Sequence, residues 1–141
     1  MAARATAHDP AIAGLVLISP WDIGKDGAAF SSPAARKAAA KDEFDDDVIP
    51  LAGTSTDKLM DEALANAKAW EFVGYAPALR TRPVLLVTAD DGNGPDSHRL
   101  AEAMQKLGNK AVIETHFATD HPYSDHRIAL ASAVVGWLQR R

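Results

Sequence analysis

Apolar positions in this chain gather into two unbroken runs and one interrupted run. Ile12-Ala13-Gly14-Leu15-Val16-Leu17-Ile18 stops at Ser19-Pro20, and Val84-Leu85-Leu86-Val87, extended by Thr88 and Ala89, stops at Asp90-Asp91. Short apolar runs without polar alternation, bounded by turn residues, predict strands buried on both faces. Ala111-Val112-Ile113-Glu114-Thr115-His116-Phe117 alternates in part and predicts a third strand, at a sheet edge. Elsewhere the period becomes helical. Leu59, Ala63, Leu64, Ala67 and Trp70 share one face behind Thr54 or Ser55 as N-cap. Leu100, Met104 and Leu107 share another, with Pro95 in the first turn and Gly108-Asn109 as the stop. After Ser124 as N-cap, Ile128, Ala131, Val135 and Leu138 form one face of a last helix and Leu130, Val134 and Trp137 a second. Strands separated by helices predict a parallel sheet with right-handed crossovers. The fold class is therefore α/β in three layers, with about three strands near residues 13–19, 83–89 and 111–117.

The remaining segments have weaker signatures. Ala2 to Ala7 resembles the last turns of a helix, closed by His8-Asp9-Pro10, so the chain is expected to open inside an element. Asp22 to Ser32 carries Gly24, Gly27 and Ser31-Ser32-Pro33, a loop composition. Pro33 to Lys41 predicts a short helix with Ser32 as N-cap. Asp45-Asp46-Asp47 is an acid run, either solvated or capping the next helix, and Phe72 to Arg82 leads into the central strand. Residues 1–141 are thus expected to form one domain, with residues 21–82 as a helical crossover or lid-like segment within it.

Composition narrows the function. A net charge of −4 with no basic run argues against nucleic acid and anionic membranes as partners. No apolar run approaches the roughly 20 residues that span a bilayer. With no cysteine there is neither a disulfide nor a thiolate metal site. His8, His98 and His116 have no mutual ligand spacing, so no metal is expected. A cytoplasmic location is the expectation.

Chemistry concentrates at two strand ends. An acid follows the second strand, at Asp90-Asp91, and a histidine follows the third, at Thr119-Asp120-His121-Pro122-Tyr123. In a parallel sheet both loops lie at the carboxyl edge, where open α/β sheets place their chemistry. A carboxylate there can take one imidazole nitrogen and leave the other as a base.

These residues resemble the second half of an α/β-hydrolase, where the triad order is Ser, Asp, His. Leu15 to Trp21 is similar to that family's sixth strand and its exit, and Val84 to Asp91 to its seventh strand and acid turn. Asp120-His121, before Ser124 to Leu130, is similar to its histidine loop and final helix. The prolyl-oligopeptidase and dienelactone-hydrolase branches are the nearest in flavour. The resemblance implies Asp91 as the acid, four residues before Pro95, and His121 as the base. Ala89 stands where glycine is common and the turn is one residue short, so Asp90 remains an alternative acid. No Gly-x-Ser-x-Gly nucleophile motif occurs anywhere in the chain, and Ser19 is no substitute because Pro20 follows it. The resemblance therefore implies a C-terminal portion of a serine hydrolase acting on an ester or peptide bond. No cofactor is implied, and the chain alone is expected to be inactive.

The competing reading is a non-catalytic α/β module that binds a small molecule or assembles with a partner, in which Asp90-Asp91 are ordinary turn residues. A receiver-like acidic pocket belongs to this class, although the chain lacks a separate acceptor aspartate and a lysine after a late strand. His126 is expected to be solvated or to meet Asp120, and the three tryptophans to serve packing. Under either reading residues 14–19, an uncharged strand without internal proline, are expected to pair a homodimer.

Overall fold

The computed structural model describes residues 2–40 and 52–140, so Asp45-Asp46-Asp47 lies outside the described residues. In chain order these form α1 (Ala2–His8), β1 (Leu15–Ile18), α2 (Ile23–Ala29), α3 (Pro33–Ala39), α4 (Thr56–Trp70), a 3-10 turn (Phe72–Tyr75), α5 (Ala76–Leu79), β2 (Val84–Thr88), α6 (Gly94–Lys106), β3 (Val112–His116) and α7 (Arg127–Leu138). They divide into two compact units, Asp22–Glu71 on one hand and Met1–Trp21 with Phe72–Arg141 on the other.

The larger unit is the three-layer α/β fold. Its three strands run parallel in the order β1-β2-β3, with Leu17, Leu86 and Glu114 in register. β2 lies in the middle, and Val84, Leu85, Leu86 and Val87 are almost completely buried. Alternation sends their side chains to two cores. Val84 and Leu86, with Leu15 and Leu17 of β1, pack against Ala3, Leu79, Leu100 and Met104 of α1, α5 and α6. Leu85, Val87 and Ala89 pack on the opposite face with Tyr123 and Trp137, backed by Leu130 and Val134 of α7. Each such aliphatic side chain contributes roughly 1.5–3 kcal/mol by burial.

Helix ends differ in detail from the sequence pattern. Leu107 follows the last turn of α6 and is 49% exposed, so the buried stripe of that helix ends at Met104. Gly108 then takes φ +89°, which glycine reaches without a Cβ penalty. The buried Asn109 is more than a stop. Its Nδ2 donates to the carbonyls of Leu79 (2.9 Å) and Arg82 (2.7 Å), and its Oδ1 accepts from Ala111 N–H (2.8 Å). Ser124 is not the N-cap of α7, which begins at Arg127; the Ser124 N–H is held by Asp120 Oδ1 at 2.7 Å in the preceding turn. Of the two α7 faces, the Leu130, Val134 and Trp137 face is turned inward, while Ile128 is 86% exposed.

The smaller unit corrects one expectation. The stretch from Asp22 to Ser32 is not a loop: Ile23–Ala29 is a helix, capped by the Asp22 carboxylate, which accepts from Lys25 N–H. Its glycines serve close packing rather than turning. A Cβ on Gly24 would lie 2.1 Å from Glu71 N, and one on Gly27 would lie 2.7 Å from Ala63 O. α4, capped by Ser55, buries Met60 and Ala63. Of the predicted face Ala63 is buried and Leu59, Leu64, Ala67 and Trp70 are half-buried, while Met60, outside that face, is buried as well. Among the described residues no helix is long and apolar enough to cross a membrane.

Candidate active site

Three strand exits converge at the carboxyl edge of the sheet. After β2 the chain turns at Gly92 (φ +84°), and the Asp91 carboxylate folds back so that Oδ1 accepts from Asn93 N–H at 3.0 Å. This is the local bond by which aspartate favours turns. After β3, Phe117 N–H donates to Thr88 O (3.0 Å), extending the parallel pairing by one residue. Asp90 N–H then donates to Thr119 O (3.0 Å), which ties the acid turn to the histidine loop.

That tie brings Asp91 and His121 together. His121 Nδ1 lies 2.8 Å from Asp91 Oδ2. The Asp91 side chain is 6% exposed and that of His121 63%. A buried carboxylate thus holds an imidazole that stands in solvent. With the proton on Nδ1, donated to the carboxylate, Nε2 carries the lone pair, and none of the described residues bonds it. Burial, the largest influence on Asp91, pushes its carboxyl up. The Asn93 N–H, His121 and the Ser19 hydroxyl together outweigh it and hold the group below the ordinary carboxylate value.

The other acid faces elsewhere. Asp90 Oδ1 lies 3.1 Å from His116 Nε2, and His116 Nδ1 lies 3.0 Å from Thr88 Oγ1. Both ring nitrogens of His116 are engaged, so this pair offers no free base. Asp90, the alternative acid, is therefore committed to His116, and Asp91 alone meets His121. His126 pairs with Asp125 at 2.8 Å rather than with Asp120. With help from Thr119, it lowers the Asp125 carboxyl to about 2. His98 sits between Glu114 (3.0 Å) and Glu102 (3.5 Å), and Glu114 in particular raises its pKa.

Two residues of the site carry no signal that a strand pattern can weigh. Ser19, excluded as a nucleophile by Pro20, is buried at the exit of β1, and its Oγ lies 2.9 Å from the hydroxyl of the buried Tyr123. Tyr123, a loop residue by its sequence context, packs edge-on against Phe117 with ring centroids 6.1 Å apart. The one hint in the sequence is an aromatic residue two positions after His121 in an otherwise polar loop. The arrangement supplies an acid-oriented base at a sheet edge, and the chain contains no Gly-x-Ser-x-Gly to go with it. Comparison with known proteins finds no matching family model, no matching curated protein and no matching solved structure.

Proposed function

We propose that this chain carries the acid and base of a Ser-Asp-His hydrolytic triad, in the manner of the C-terminal half of an α/β-hydrolase. The observation that carries the reading is the 2.8 Å Asp91–His121 pair at the carboxyl edge of a parallel sheet, with His121 Nε2 unclaimed among the described residues. In this role His121 Nε2 takes the proton of a serine hydroxyl during attack on an ester or peptide carbonyl and returns it to the leaving group. Asp91 holds the tautomer and stabilises the imidazolium. The serine and the oxyanion donors come from a polypeptide segment outside these 141 residues. The proposal includes a cytoplasmic setting, which a cysteine-free chain tolerates.

The test is p-nitrophenyl ester turnover by the 141-residue chain and by a version extended N-terminally with the codons upstream of Met1 in the genome. The chain alone is expected to give no turnover that depends on His121. The extended protein is expected to give a burst of p-nitrophenol that disappears in His121→Ala. Upstream codons without a Gly-x-Ser-x-Gly motif, or His121-dependent turnover by the chain alone, would overturn the proposal.

A second reading, an assembly module, is favoured by the β1 edge. Leu15 N–H and Ser19 N–H donate to Pro83 O and Val87 O of the β2 side, so by alternation the amides of Val16 and Ile18 point away from it. Among the described residues no strand pairs there, β1 bears no charge, and Ile18 is 44% exposed. A two-fold axis pairing residues 14–19 antiparallel with a second copy would give one six-stranded sheet. Val16→Lys is then expected to convert a dimer to monomer, or to leave the chain insoluble, in sedimentation at micromolar concentration. A wild-type chain that sediments as a monomer removes this reading.

A further inference from the structure

Beyond the acid and the base, the site contains a buried polar contact whose partners are 104 residues apart in sequence, Ser19 Oγ with Tyr123 OH at 2.9 Å. Both residues are nearly inaccessible, at 6% and 2% exposure. Both also hold positive φ without being glycine, Ser19 at +41° and Tyr123 at +55°, and no other non-glycine residue among those described does so. Such conformations persist where the surroundings over-determine them, and they gather at functional sites. Here the two strained residues sit at two of the three converging exits. Ser19 ends β1, and Tyr123 closes the turn that carries His121, with Tyr123 N–H bonded to Asp120 O at 2.9 Å. Asp91 leaves from the strand between them.

We propose that the Ser19–Tyr123 bond is the positioning element of the Asp91–His121 pair, stapling the exit of β1 to the histidine turn so that the imidazole stays on the carboxylate. The inference rests on His121 being the base, and it assigns Ser19 a task other than nucleophile. Either hydroxyl can donate in this bond; where Tyr123 donates to Ser19 Oγ, the Ser19 proton is free to turn toward the Asp91 carboxylate, which the Ser19 hydroxyl helps to keep ionised. Tyr123 cannot readily ionise in this place: burial raises its hydroxyl pKa, and the Asp91 charge adds to the effect. The Asp91 carboxylate is then the common acceptor, served from the Ser19 side and by His121 Nδ1–H.

The experiment is nitrogen and carbon NMR on the isotope-labelled 141-residue chain, reading the His121 Nδ1–H proton, its ring tautomer and the titration of the Asp91 carboxyl. Two variants are compared with the wild type. Tyr123→Phe keeps the ring and its packing on Phe117. Ser19→Gly removes the hydroxyl at a φ that glycine accepts, so lost strain and lost bond are separated. In both variants the Nδ1–H signal is expected to vanish into exchange, the ring to become a mixture of neutral tautomers, and the Asp91 midpoint to move up. The amide spectrum of the three strands is expected to be unchanged. Retention of the Nδ1–H signal and of a single tautomer in either folded variant overturns the inference. If one variant does not fold, the other decides. The readout needs no nucleophile, so a failed search for ester turnover leaves this result standing, and loss of the staple would not by itself remove the hydrolase reading.

Discussion

Gly24→Ala is expected to destabilise the Asp22–Glu71 unit by about 3 kcal/mol or more, at the top of the usual range for overpacked sites. A Cβ placed on Gly24 comes within 2.1 Å of Glu71 N, 2.4 Å of Trp70 C and 2.6 Å of Ala67 O. All three are backbone atoms at the carboxyl end of α4, and none can turn aside as a side-chain tip would. The substitution also raises intrinsic helix propensity in α2 by about 1 kcal/mol. The sign of the outcome therefore measures which effect is larger, and a contact this short decides for sterics. Gly136→Ala is the matched comparison. It lies inside α7, and the nearest atom its Cβ meets is the flexible Arg140 Nη1 at 3.6 Å. There propensity acts unopposed, and a gain of up to about 1 kcal/mol is expected. Thermal denaturation followed by circular dichroism, with amide exchange to localise the change, reads both. Equal small effects at the two glycines would show that α2 and α4 do not approach as described.

The same pair of helices shows where the sequence could and could not be read. Runs such as Val84 to Val87 fit a doubly covered strand because they are too short for a buried helix and are bounded by Pro83 and by Asp90-Asp91, and β2 coincides with that run. The parallel order came from helices lying between the runs. Gly24 and Gly27 misled for a definite reason: glycine marks a turn by its conformational freedom and a close contact by its lack of a side chain, and a single sequence does not distinguish them. α7 misled in a smaller way. Ser124 has the composition of an N-cap, but Asp120 captures its N–H first, and the helix starts three residues later. For the site, Asp91 and His121 were visible as residue types at adjacent strand exits. The choice between Asp91 and Asp90 was not, because neighbouring residues at a strand end point to opposite sides and the short turn left the register open. Ser19 and Tyr123 were hidden for a further reason, since a contact spanning 104 residues leaves no periodic trace.

In the N-terminally extended protein, Asp91→Asn is expected to lower kcat for a p-nitrophenyl ester by about 10⁴-fold, comparable with loss of any orienting acid of a triad. The expectation comes from how the two oxygens of Asp91 are used. Oδ1 accepts from the Asn93 backbone N–H at 3.0 Å, and Oδ2 faces His121 Nδ1 at 2.8 Å. An asparagine has one oxygen and one amide nitrogen. The Asn93 N–H can only be satisfied by the oxygen, which leaves the amide nitrogen, a donor, facing His121. Nδ1 must then accept, the ring proton moves to Nε2, and the nitrogen needed as the base is blocked. Geometry would survive while the tautomer is wrong. NMR of the 141-residue variant should show that inverted tautomer directly, without any substrate. Asp90→Asn should leave both turnover and the His121 tautomer as they are, because its carboxylate is bonded to His116 at 3.1 Å. Combining Asp91→Asn with His121→Ala should cost no more than His121→Ala alone, since an orienting group has no task once the imidazole is gone. An Asp91→Asn enzyme within tenfold of wild type, or an Asp90→Asn enzyme that loses activity to the same degree as His121→Ala, would transfer the acid's role away from Asp91.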